Sequence, residues 1–62
     1  MKITVKAVRK SCGYSVQEMA KMLEISPKIY AFYEKHPAFM PADLAIEFSH
    51  IGGVSLDNIF FG

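Results

Sequence analysis

The sequence predicts an all-α domain organised around a helix-turn-helix, and three observations carry that prediction. The stretch Ser15–Lys35 holds two helix-start signals. Ser15 is followed three positions on by Glu18, the spacing of a capping box. Ser26 is followed by Pro27, which fits a first helical position because its missing N–H costs nothing there. Apolar residues recur at helical spacing after the first signal, and Tyr30 and Tyr33 recur three apart after the second. A composition that is 52% hydrophobic in 62 residues suits one small, helical, ordered domain. Two helices joined by a three- or four-residue turn form a helix-turn-helix, whose second helix is the one usually offered to DNA.

Taken in order, Met1–Gly13 opens with an alternating ITVKAV that resembles a strand, but a helix is the preferred reading. Thr4 can cap it, Val5, Val8 and Cys12 fall on one stripe, and Gly13 suits the residue just past its end. Helix two runs from about Val16 to Leu23, with Met19, Ala20, Met22 and Leu23 as its apolar face. The Met19/Met22 pair reads as core. Helix three runs from Pro27 to Lys35 and stops at His36, because the residue before Pro37 is pushed out of the helical region. His36–Met40 reads as a loop with Phe39 and Met40 tucked inward. Pro41 starts helix four, whose face is Leu44, Ala45, Phe48 and Ile51 and which Gly52-Gly53 ends. Ser55 is expected to cap a short fifth helix from Leu56 to about Phe60.

Composition excludes several classes. No apolar run approaches the roughly 18 residues of a membrane span, and no signal peptide is recognised, so no membrane partner is expected. Cys12 is the single cysteine, which leaves no disulfide framework and no zinc site; it reads as a small buried hydrophobe in a cytoplasmic protein. His36 and His50 lie too far apart in sequence to suggest a metal site. No glycine-rich phosphate loop, paired carboxylates or nucleophile-base spacing appears, so no enzyme, cofactor or small-molecule substrate is expected. The formal net charge is only +1, but residues 1–35 carry all seven Lys and Arg against three acids, while residues 36–62 carry three acids and no Lys or Arg. The helix-turn-helix therefore lies in the positive half, the asymmetry expected of a basic binding face.

The helix pattern resembles the Cro/C1-type (XRE-like) helix-turn-helix family of phage and bacterial repressors. The matching pieces are Val8-Arg9, Gly13-Tyr14-Ser15, Glu18-Met19-Ala20, Leu23, Ile25-Ser26, Glu34, Pro41 and Val54-Ser55-Leu56-Asp57. The resemblance implies a compact five-helix lambda-repressor-like domain spanning residues 1–62. It implies a sequence-specific transcriptional regulator whose recognition helix, Ser26–Lys35, enters the major groove of a double-stranded DNA operator. It also implies an ion pair between Arg9, late in helix one, and Glu34, at the end of helix three. Arg9 is read as structural ahead of a DNA contact, because a planar guanidinium can hold a carboxylate with two bonds. Three positions depart from the family pattern. Val16 stands where a phosphate-binding glutamine is common, with Gln17 next along; Glu24 stands at a turn position often held by glycine; and His36 follows Glu34-Lys35 where glycine is common.

On that template Tyr30 and Tyr33 face inward, and Pro27, Lys28, Ile29, Ala31 and Phe32 face the bases. Lys28 reaches either guanine O6/N7 or a phosphate. Ile29 and Phe32 are suited to thymine methyl groups, Ala31 permits close approach, and Phe32 has the alternative of packing on Phe39 or Met40. Ser15, Gln17, Ser26, Lys35 and His36 are the phosphate candidates, being near helix ends where backbone contact is common. A homodimer is expected, through helix four or an exposed Ile59–Phe61 tail, because one such helix reads few base pairs. Two other readings stay open: a protein-binding regulator or antirepressor on the same fold, and a DNA-binding domain of a longer repressor.

Overall fold

Side-chain caps set where three helices begin. In the computed structural model, which describes residues 2–62, Thr4, Ser15 and Ser26 are extended, and each accepts a hydrogen bond from the N–H three residues on: Ala7, Glu18 and Ile29, all at 3.1 Å. These caps start α1 (Val5–Ser11), α2 (Val16–Met22) and α3 (Pro27–Lys35). The Glu18 carboxylate also accepts from the Ser15 N–H at 2.8 Å, completing the capping box. α4 (Ala42–Gly52) starts without a side-chain cap; Pro41 precedes it and its carbonyl accepts from the Ala45 N–H at 2.9 Å.

Three helices end alike. After α1, α2 and α4 the residues Gly13, Glu24 and Gly53 take φ of 79°, 60° and 67°. In each case the next N–H, from Tyr14, Ile25 or Val54, reaches back to the carbonyl of Arg9, Ala20 or Ser49. This is the Schellman arrangement, and its apolar follow-on residue packs on the core in all three places. The motif explains the break at Glu24-Ile25, and it makes Glu24 the one non-glycine residue with positive φ among those described. A side chain in that region costs about 1–2 kcal/mol, part of which glycine gives back as unfolded-chain entropy. Glu24→Gly is therefore expected to raise the urea midpoint, by up to about 1 kcal/mol of stability.

The core takes one or more side chains from every helix: Val5 and Val8 from α1, Met19 and Ala20 from α2 with Leu23 just beyond it, Tyr30 from α3, Ala45 and Phe48 from α4. Met40 and Ile59 complete it. α1 and the end of α4 approach so closely that a Cβ on Gly52 would overlap the buried Val8 Cγ1, so Gly52 is the last helical residue of α4 and a packing requirement there. The Cys12 thiol donates to the Gly52 carbonyl at 3.6 Å across the same contact.

The C-terminal segment departs most from expectation. The fifth helix is absent. Leu56–Asn58 makes a single 3₁₀ turn, without a side-chain cap from Ser55, and Ile59–Phe60 is a strand, β2. β2 pairs in parallel with β1 (Ile3–Thr4), Ile3 opposite Ile59 and Thr4 opposite Phe60. The physical reason is composition: β-branched and aromatic residues at both ends favour extended chain once a partner strand is available. The opening alternation was thus a real strand signal for two residues, after which Thr4 turns the chain into α1. Nor is the Ile59–Phe61 tail an exposed surface. Ile59 is 1% exposed and Phe61 half-buried, leaving Phe60 alone turned outward.

Other corrections are local. Met22 is exposed while Met19 is buried, so the pair is not jointly core. Cys12 is half-buried instead of buried. The His36–Met40 loop contains a 3₁₀ turn, Pro37–Phe39, which sends Met40 into the core but leaves Phe39 67% exposed.

Candidate nucleic-acid interface

α3 is held by a buried charge cluster on its inner side. Arg9 Nε donates to Glu34 Oε2 at 2.5 Å, Nη2 donates to Oε1 at 3.4 Å, and Nη1 donates to the Tyr14 carbonyl at 2.8 Å. Arg9 and Glu34 side chains are 9% and 11% exposed. One guanidinium therefore ties α1 to the α1–α2 connection and to the last turn of α3, with the two-bond fork the pairing requires. The hydrogen bond to the Glu34 carboxylate raises the ionisation of the Arg9 guanidinium above its usual value. Arg9 is committed to this bridge, in keeping with a structural role.

Tyr30 lies beside the bridge, fully buried, its ring tilted against Phe48 with centroids 6.4 Å apart. Its hydroxyl is the one buried side-chain oxygen or nitrogen among the described residues that makes no hydrogen bond. Burial, and next the neighbouring Glu34 carboxylate, push its ionisation far above the ordinary tyrosine range. Two outcomes follow. Tyr30→Phe is expected to be neutral or stabilising at pH 7, by up to about 1 kcal/mol, since an unsatisfied buried hydroxyl is removed. A raised folded-state value means that the associated stability is intact below the unfolded-chain value near pH 10 and is lost above it, at about 1.4 kcal/mol per pH unit. Urea midpoints between pH 8 and 11 should fall less steeply for Tyr30→Phe than for the parent chain.

Opposite this anchor, α3 presents a continuous open surface. At 100° per residue, Pro27, Ala31, Lys35, Lys28, Phe32 and Ile29 cover an arc of about 200°, with Tyr30, Tyr33 and Glu34 on the remainder. All six arc residues are exposed, Ile29 at 48% and Phe32 at 46%. The residues expected to face bases, Pro27, Lys28, Ile29, Ala31 and Phe32, are thus brought together on one face. Because Glu34 is neutralised by Arg9, the free charges of α3 are Lys28 and Lys35.

Phe32 packs on Phe39, the second of the alternatives considered for it, without leaving the surface. Its ring packs on Phe39 and His36, with centroids 5.7 and 5.0 Å away, and still exposes nearly half its surface. Phe39 therefore joins the face, an addition that reading the loop as inward-tucked had missed. Its signal was Pro37, a residue suited to the start of a tight turn.

The phosphate candidates are all exposed, but they differ in freedom. Ser15 is engaged in its capping box, and the Glu18 carboxylate sits on the same helix end, where it repels an anion. Ser26 Oγ is occupied by the Ile29 N–H. Gln17 and Lys35 make no side-chain hydrogen bond among the described residues, and the His36 ring lies against Phe32 and Phe39.

Elsewhere, α4 and the turn after it enclose a shallow apolar groove lined by Ile46, His50, Val54 and Leu56 among others. Among the described residues no three His, Cys, Asp or Glu side chains assemble into a metal site, and no helix is long and apolar enough to cross a membrane. The α3 face stands on its own geometry, since no family model, curated protein or solved structure matches this chain.

Proposed function

We propose that the protein is a sequence-specific DNA-binding transcriptional regulator of the Cro/C1-like kind, a lambda-repressor-like domain with a two-residue strand pair in place of the last helix. The observation that carries this reading is the asymmetry of α3: its inner side is fixed by the Arg9–Glu34 bridge, and its outer side is free, with lysines as its only unpaired charges. Nine helical residues span about 13 Å, enough to cover roughly four base pairs in the major groove. Recognition of a longer operator calls for a homodimer over two half-sites about 34 Å apart. α4 is the better candidate interface, as Ile46 is exposed whereas Ile59 is buried.

The test is duplex binding as a function of salt. Affinity should fall as salt rises, with log K against log salt sloping by about −0.9 per phosphate contacted. Lys28→Ala should weaken binding to the preferred duplex by about tenfold or more with no change in melting temperature, because Lys28 is exposed. Salt-independent or absent binding would overturn this function.

A protein-binding regulator on the same scaffold is the second reading. The observation favouring it is the exposed apolar group Ile29, Phe32 and Phe39, large for a surface otherwise intended for phosphates. It gains ground if DNA binding is absent and a protein partner is captured in a manner that Phe32→Ala abolishes.

A further inference from the structure

We infer that α3 selects its duplex by the 5-methyl groups of thymine, through apolar contact from Ile29 and Phe32, with Lys28 as its only hydrogen-bonding reader. This rests on the DNA-binding function proposed above. The outward arc contains no Arg, Asn, Gln, Ser or Thr, the side chains that pair with base edges. Ser26, at the start of the helix, has its oxygen occupied by the Ile29 N–H. What remains besides the two lysines is Pro27, Ile29, Ala31 and Phe32, none of which has a polar side-chain atom.

The major groove offers such a surface one favourable counterpart. Its floor is lined with hydrogen-bond donors and acceptors on every base pair, and the thymine methyl is its only apolar group. Ile29 set against a cytosine amino group or a guanine oxygen would strip water from a polar atom and return no bond, which is penalised. Set against a methyl, the same side chain removes apolar surface from water on both partners. Selectivity thus comes from the mismatch cost as much as from the contact. The charges agree with a duplex occupant: Lys28 and Lys35 lie mid-face, beside Phe32 on one side and Ala31 on the other, and Glu34 is withdrawn into its bridge. The contact residues are held firmly, since Tyr30 between Ile29 and Ala31 is fully buried and Phe32 is braced by Phe39.

The feature recognised is a methyl at pyrimidine C5, which 5-methylcytosine also carries, and the measurement separates the two sources. The full chain is used to enrich duplexes from a random 24-base-pair library at low salt. The best duplex is then remade with deoxyuridine for each thymine in turn, and separately with cytosine or 5-methylcytosine at the sensitive positions. The expected result is a thymine-rich core in which at least two single thymine-to-uracil changes each weaken binding about threefold to fourfold, the worth of one buried methyl. At those positions 5-methylcytosine should bind better than cytosine by a similar factor. Ile29→Ala should bind more weakly and lose the sensitivity at one position, Phe32→Ala at another, with the circular dichroism of both unchanged. An enriched duplex that tolerates uracil throughout overturns the inference while leaving DNA binding in place. So does a uracil penalty that persists unaltered in both variants, which would belong to DNA shape. Failure to enrich any duplex overturns the DNA-binding function and this inference with it.

Discussion

Arg9→Ala is expected to cost about 3–5 kcal/mol of folding stability, the range for removing one partner of a buried ion pair. The substitution strands the Glu34 carboxylate at 11% exposure and frees the Tyr14 carbonyl that Nη1 had satisfied. A domain of 62 residues has roughly 3–9 kcal/mol in total, so the variant should be largely unfolded near 37 °C. Urea titration by circular dichroism measures the loss. The paired replacement Arg9→Met with Glu34→Leu should recover most of it, because no uncompensated charge then remains. Arg9→Lys should fall between, as one ammonium cannot hold both carboxylate oxygens and the Tyr14 carbonyl in a planar fork. A folded Arg9→Ala variant of unchanged stability that no longer bound DNA would assign Arg9 to the interface instead.

Ile59→Ala is the second large effect, expected to cost about 2–5 kcal/mol, whereas Phe60→Ala should stay within about 0.5 kcal/mol. The neighbours differ because a strand alternates its side chains: Ile59 is 1% exposed and Phe60 47%. In the strand the two side chains point to opposite faces, about 180° apart. Ile59 stands opposite Ile3 in the strand pair, next to Thr4, which is both a strand residue and the α1 cap, so the packing it loses lies at the start of α1. Thermal melts of the two single variants check the prediction, and equal losses would contradict the strand.

The two effects bear on function through α3. Arg9 reaches α3 directly, at its last turn; Ile59 acts at the far end of the chain, through β1 and α1. Both variants are therefore expected to weaken the proposed DNA binding only in proportion to the fraction unfolded. Lys28→Ala should weaken it in the fully folded protein, and this separates the support of the proposed recognition surface from the surface itself.

How much was legible in the amino-acid order depended on the range of the interaction. Local chemistry by itself determined the helix starts at Thr4, Ser15 and Ser26 and the stop at Gly13, because caps and positive-φ residues act within one or two turns; the outward placement of Lys28, Ile29 and Phe32 came through the resemblance. The Arg9–Glu34 pair joins residues 25 positions apart and came through a resemblance, on residue types that no local rule connects. Only the tertiary structure decided the last element. Leu56–Phe60 has an acceptable helical spacing, and nothing within it reveals that Ile3–Thr4 lies alongside to receive Ile59–Phe60 as a strand. It likewise decided that Met22 faces water and that Phe39 joins Phe32 on the outer surface. Apolar periodicity reports which side of a helix can be buried; which residues on that side meet a partner is set by the packing of elements far apart in the chain.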